Sequence, residues 1–103
     1  MEFEIERIGD VTIITLPGDV LDANYSREFK EDVAPILETN KKVVFDMSRM
    51  SFVDSSGCGA LLSCLRRIKG AGGELKICAV SSPVFGVFRL IRLDRIFDFY
   101  DSR

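Results

Sequence analysis

The sequence predicts an α/β fold: a mixed, mostly parallel sheet with an N-terminal β-hairpin and helices following the later strands. Three observations predict it. Short apolar runs rich in Val and Ile alternate with longer stretches of helical spacing, which is the pattern of successive βα units. The first two runs are separated only by Gly9-Asp10, the mark of a hairpin. Turn and cap residues fall at the joints, at Pro17-Gly18, at Gly70-Ala71-Gly72-Gly73 and at Ser81-Ser82-Pro83.

Taken in order, Phe3 to Ile8 alternates, with Phe3, Ile5 and Arg7 on one side and Glu4, Glu6 and Ile8 on the other. Val11 to Leu16 is the second strand, ended by Pro17-Gly18 and followed by the loop Asp19 to Asn24. Tyr25 to Thr39 shows helical spacing through Tyr25, Phe29, Val33, Ile36 and Leu37. Asn24 is its expected cap, and Pro35 an expected kink. Lys41 to Asp46 is the central buried strand.

The stretch from Val43 to Leu62 organises the rest. Asp54-Ser55-Ser56-Gly57 stands where an N-cap belongs, because Asp and Ser oxygens accept hydrogen bonds from the first unpaired helical N–H groups. A helix end also favours negative charge, so a hydroxyl held there is well placed to carry a phosphate. The helix is expected over Ser56 to Lys69, with Ala60, Leu61, Cys64, Leu65 and Ile68 facing the core and the glycines from Gly70 stopping it. Counting back four from Ala60 reaches Ser56, which predicts an inward Ser56. Ser55 then shares an outward face with Cys58, Gly59, Leu62 and Arg66. Cys58 is accordingly expected to be the more accessible cysteine of this helix.

Glu74 to Val80 reads as a further strand, and Ser81-Ser82-Pro83 opens a third helix with Val84, Val87, Phe88 and Ile91 as its buried stripe. Ile96 to Tyr100 closes the sheet. The order is β-β-α-β-α-β-α-β, expected as a single domain over residues 1–103. The loops after Leu16 and Asp46 share the carboxyl edge of the strands, where function usually lies, and this brings Asp19 and Asp22 near Ser55. Two readings of those aspartates stand: turn residues, or part of a rim around Ser55.

Composition removes several functions. Formal net charge is −2, which argues against general binding to nucleic acid or anionic membranes. The charge is uneven: Met1 to Asp54 holds 12 acidic and 6 basic residues, and Ser55 to Arg103 holds 4 acidic and 8 basic. Opposite-signed regions suit a protein partner. With no histidine, neither a Ser-His-Asp nor a Cys-His nucleophile system can be assembled. The glycines at 70, 72 and 73 lack the Lys-Ser/Thr of a phosphate-binding loop. Cys58, Cys64 and Cys78 lack metal-ligand spacing and read as reduced packing residues, so no metal or cofactor is expected. Asp46 could be a phospho-aspartate, but that chemistry needs magnesium held by a neighbouring acidic pair. With Asp10 in a hairpin and Asp19 and Asp22 in a loop, a loop hydrogen bond is the expectation for Asp46. No signal peptide precedes Met1 and no apolar run approaches the ~20 residues of a membrane span, so a cytoplasmic protein without membrane insertion is expected.

Almost the whole chain resembles a STAS domain, the fold of bacterial anti-sigma factor antagonists of the sporulation and general-stress type. The resemblance rests on residues 16–22 (Leu16-Pro17-Gly18-Asp19-Val20-Leu21-Asp22), on Val43-Val44-Phe45-Asp46-Met47, and above all on Ser51 to Leu61 around Asp54-Ser55-Ser56-Gly57. Residues 72–78 resemble the family's next strand. The family usually continues into a further C-terminal helix, and this sequence ends at Arg103 soon after its last expected strand.

The resemblance implies a non-enzymatic protein-binding module working by partner switching. In the family, the serine directly after this Asp, here Ser55, is phosphorylated by a partner that is both anti-sigma factor and serine kinase. The unphosphorylated antagonist binds that kinase and frees a sigma factor. Phosphorylation breaks the complex, and a PP2C-type serine phosphatase resets it. The expected partner surface comprises Asp19, Asp22, Asp54, Ser55, Ser56, Gly57, Cys58, Gly59 and Leu62, on a monomer or weak dimer. Two other readings stand: a STAS scaffold of a multimeric signalling assembly, and a small STAS subunit of a membrane transporter complex.

Overall fold

Gly9 takes φ 62°, the left-handed conformation that a tight reversal requires. It thereby joins β1 (Glu4–Ile8) to β2 (Val11–Thr15) as the antiparallel opening hairpin. The chain, seen in a computed structural model that describes residues 1–101, continues through β3 (Val20–Leu21), α1 (Ser26–Thr39) and β4 (Lys42–Asp46). Next come β5 (Phe52–Val53), α2 (Ser55–Gly70) and β6 (Glu74–Cys78). A third helix, α3 (Ser82–Leu90), a 3-10 turn (Leu93–Arg95) and β7 (Asp98–Tyr100) complete it.

The main sheet has the order β1-β2-β4-β6-β7, parallel at every pair after the hairpin, as the alternation of strands and helices predicts. Each right-handed crossover steps the same way across the sheet, which places the three helices on one face. The alternation along the strands agrees. Ile14, Val43, Phe45, Leu75 and Ile77 belong to the core with Phe29 and Val33 of α1, Leu61 and Ile68 of α2, and Phe88 of α3. Each such side chain contributes about 1.5–3 kcal/mol through removal from water. Phe29 also meets Phe45 edge-on, with ring centroids 5.8 Å apart.

Several boundaries differ from expectation, each for a local reason. Asn24 does not cap α1: the Asp22 carbonyl accepts from the N–H groups of Tyr25 and Ser26 and from the Ser26 hydroxyl, so the helix starts at Ser26. Pro35 lies inside α1, exposed, and the helix continues to Thr39. β6 stops at Cys78 because Ala79 turns the chain at φ 58°. In α3, Val84 and Phe88 are buried as expected, Val87 is half-buried, and Ile91 is exposed. Arg92, at φ 65°, redirects the chain there and Leu93 enters the core instead.

Candidate functional site

The carboxyl ends of β2 and β4 deliver two loops to one edge of the sheet, and backbone hydrogen bonds sew them together. The Asp19 carbonyl accepts from the N–H groups of Ser51 (2.8 Å) and Phe52 (3.1 Å) and from the Ser51 hydroxyl (3.0 Å). These bonds start a parallel ribbon in which Val20 faces Phe52 and Leu21 faces Val53. Two residues per strand are too few for a period to register, so the sequence pattern did not reveal the ribbon.

Asp54 follows the ribbon directly, in extended conformation, as the N-cap of α2. One oxygen, Oδ1, accepts from the Gly57 N–H at 2.9 Å, and Oδ2 accepts from the Ala23 N–H at 3.1 Å. A single carboxylate therefore closes the helix end and holds the preceding loop against it. The cap is what Asp-Ser-Ser-Gly predicts; the reach to Ala23 was not foreseen. Gly57 permits the contact. A Cβ there would lie 2.1 Å from the Leu21 carbonyl oxygen and 2.7 Å from Val53 Cγ1.

Ser55 opens α2 and is exposed. So is Ser56, which corrects the expected inward hydroxyl. The inward place belongs to Gly57, from which the buried row runs through Leu61, Cys64 and Ile68. Cys58 is a second correction: it is only 1% exposed, because the buried arc is wide enough to take in Cys58, Leu61 and Leu65 as well. Gly59 is exposed with open space where a Cβ would stand, and Leu62 is half-buried. Ser55, Gly59 and Leu62 thus share the outward face, and Cys58 and Gly57 support it from beneath. Phe52, 51% exposed two residues before Asp54, is an apolar side chain at this edge that the sequence reading missed. Two apolar residues, Phe52-Val53, are too short a run for alternation to show which of them faces solvent.

The aspartates divide. Asp19 is exposed at the same edge. Asp22 is partly buried and its Oδ1 accepts from the Asn24 N–H at 3.0 Å, so it shapes the turn into α1. Asp46 is buried and its Oδ1 accepts from the Ser48 N–H at 2.9 Å, the expected loop hydrogen bond. Among the described residues no three His, Cys, Asp or Glu side chains converge as a metal site, and no helix is long and apolar enough to cross a membrane.

Burial also sets thiol chemistry. Desolvation, with Asp54 nearby adding to it, pushes the Cys58 thiol up to about 11. Desolvation pushes Cys64 up to about 12 against the opposing influence of Arg67 and Lys30. A thiolate is the reactive form. Both cysteines should therefore react slowly with an aromatic disulfide reagent at neutral pH until denaturant is added. Rapid labelling of Cys58 in the native protein would show that α2 is rotated from the position described.

A family model described as STAS domain matches residues 2–103. The anti-sigma F factor antagonist of Paenibacillus polymyxa is 28% identical over 99% of this chain and 88% of its own length. A crystal structure of a candidate anti-sigma factor antagonist from Thermotoga maritima superposes with a TM-score of 0.87 at 26% identity, covering 97% of this chain and 86% of that one. The Bacillus cell fate determinant SpoIIAA in its phosphorylated form shares the fold, with a TM-score of 0.69 at 20% identity over 97% of this chain and 92% of that one.

Proposed function

The chain belongs to the STAS domain family, as a distant relative of the anti-sigma factor antagonists, and from that premise we propose that it is a partner switch set by phosphorylation of Ser55. Members of this class are non-catalytic binding modules, and their partner is an anti-sigma factor. In the proposed cycle the partner is also the serine kinase, a PP2C-type phosphatase restores the hydroxyl, and the protein works in the cytoplasm.

One observation carries the reading. Asp54 closes the first turn of α2 and fastens it to the loop at Ala23, which leaves the Ser55 side chain exposed on the edge where the Asp19 to Asn24 loop meets α2. The edge offers a partner Phe52 and Leu62 as apolar contacts and Gly59 as a point of close approach. Exposure alone does not separate Ser55 from Ser56. The likeness to the family does, since its phosphoserine directly follows the capping Asp. The phosphorylated SpoIIAA, a protein of the same fold, supports the choice of modification.

Incubation with the cognate anti-sigma kinase and ATP, read by intact mass and phosphopeptide mapping, tests it. A single phosphate is expected on Ser55, lost in Ser55→Ala and retained in Ser56→Ala. Phosphate predominantly on Ser56 would overturn the site.

A further inference from the structure

The molecule is polarised along its strands, and its two ends complement one another. At the carboxyl edge, beside the site above, lies an open cleft of about 700 Å³. Pro17, Val20 and Tyr25 give it apolar walls, and Glu2 and Asp19 make its rim acidic, while Glu28 in the same rim is paired with the Met1 ammonium at 3.1 Å. At the opposite edge, where α3 ends and the chain turns back toward β7, Leu90 is 84% exposed and Ile91 and Ile96 are exposed beside it. Exposed arginines 89, 92 and 95 interleave with them.

Two features mark this basic, apolar knob. Arg89, Arg92 and Arg95 lie close together in the chain and, like Arg7 and Arg66, take part in no ion pair among the described residues, whereas Arg27, Arg49 and Arg67 each hold a carboxylate. Arg92 also occupies the left-handed conformation at φ 65°, a place where glycine is the usual residue. Arginine adopts that conformation at a cost that glycine would not incur.

We propose that the knob of one copy docks into the acidic cleft of the next. Leu90 enters between the apolar walls, and the arginines meet the acidic rim. The match is one of both sign and polarity, since an apolar tip within basic residues meets an apolar floor within acidic ones. The two surfaces differ and sit at opposite ends, so the contact is head-to-tail and leaves a free knob and a free cleft at the ends of any row. This goes beyond the switch reading and does not depend on it. If both hold, the contact covers Asp19 and competes with the anti-sigma partner.

The experiment is sedimentation velocity of the full chain, without any partner, over a concentration series in low and high salt. The wild type should grow in mass with concentration and associate roughly tenfold more weakly when salt screens the charges. Leu90→Ser removes the knob, and Glu2→Lys with Asp19→Lys removes the cleft. All three side chains are exposed, and the two acids hold no described ion pair, so the variants should fold as the wild type does by circular dichroism. Each variant alone should remain a monomer. An equimolar mixture should form a dimer that grows no further, because one good knob then meets one good cleft. A wild type that stays monomeric at every concentration overturns the proposal. So does an association that Leu90→Ser leaves intact, or one the mixture fails to restore. Binding of the wild type to vesicles rich in anionic lipid, lost in Leu90→Ser, would assign the knob to a membrane surface and overturn it equally.

Discussion

Gly57→Ala should destabilise the protein by about 3 kcal/mol or more, the upper end for overpacking a core position. The added methyl would stand 2.1 Å from the Leu21 carbonyl oxygen and 2.7 Å from Val53 Cγ1. The first is backbone, held by the β3–β5 pairing and by the Asp54 N–H that donates to it at 3.3 Å, and cannot rotate away. Relief therefore requires α2 to lift from the ribbon, and that motion strains the Asp54 bonds to Gly57 and Ala23. For a domain of this size such a loss lowers the midpoint of thermal unfolding by roughly 10–20 °C. Gly59→Ala, two residues on, should do the reverse. Its Cβ would meet open space, so the better helix propensity of alanine should add about 0.5–1 kcal/mol. Urea unfolding of both variants checks the pair. Similar stabilities for the two would mean that Gly57 does not pack beneath Leu21.

The second large effect is on binding. Phosphoserine carries about −1.5 to −2 charges at neutral pH. One of those charges roughly 6 Å from a partner carboxylate, at an effective dielectric near 20, costs on the order of 3 kcal/mol. That is about a hundredfold in affinity, before any cost of desolvating the phosphate. The fold should tolerate the group, since Ser55 is exposed at the positive end of α2. Phosphorylation should thus change affinity without changing structure. Ser55→Ala should stay in the binding state, and Ser55→Asp should weaken binding less than the phosphate, having a single negative charge.

Much of this arrangement was legible in the residues. Gly9-Asp10 marks the hairpin, and the apolar run to Phe45 marks the central strand. Asp54 before an apolar helical stripe marks the cap of α2, and each of these is where the structure has it. What escaped was set by tertiary packing over very few residues. The β3–β5 ribbon is only two residues deep, so it has no periodicity, and it is recognised only through the Asp19 carbonyl and its donors across the chain.

The rotation of α2 was misjudged for a different reason. Counting four back from Ala60 lands on Ser56, while counting three lands on Gly57, and hydrophobicity cannot choose between them. The close approach of Leu21 chooses Gly57, and that also turns Cys58 inward. A glycine three positions past the capping Asp is the signal that could have found it. The end of α3 is similar. Spacing favoured Ile91 as a core residue, but the left-handed turn at Arg92 gives the position to Leu93 and leaves Ile91 outside.

The most direct test of the switch is calorimetric titration of the anti-sigma kinase with the unmodified protein and with the same protein phosphorylated stoichiometrically on Ser55. The account predicts binding about a hundredfold weaker for the phosphoprotein, with matching circular dichroism spectra for the two forms. Equal affinities would contradict it.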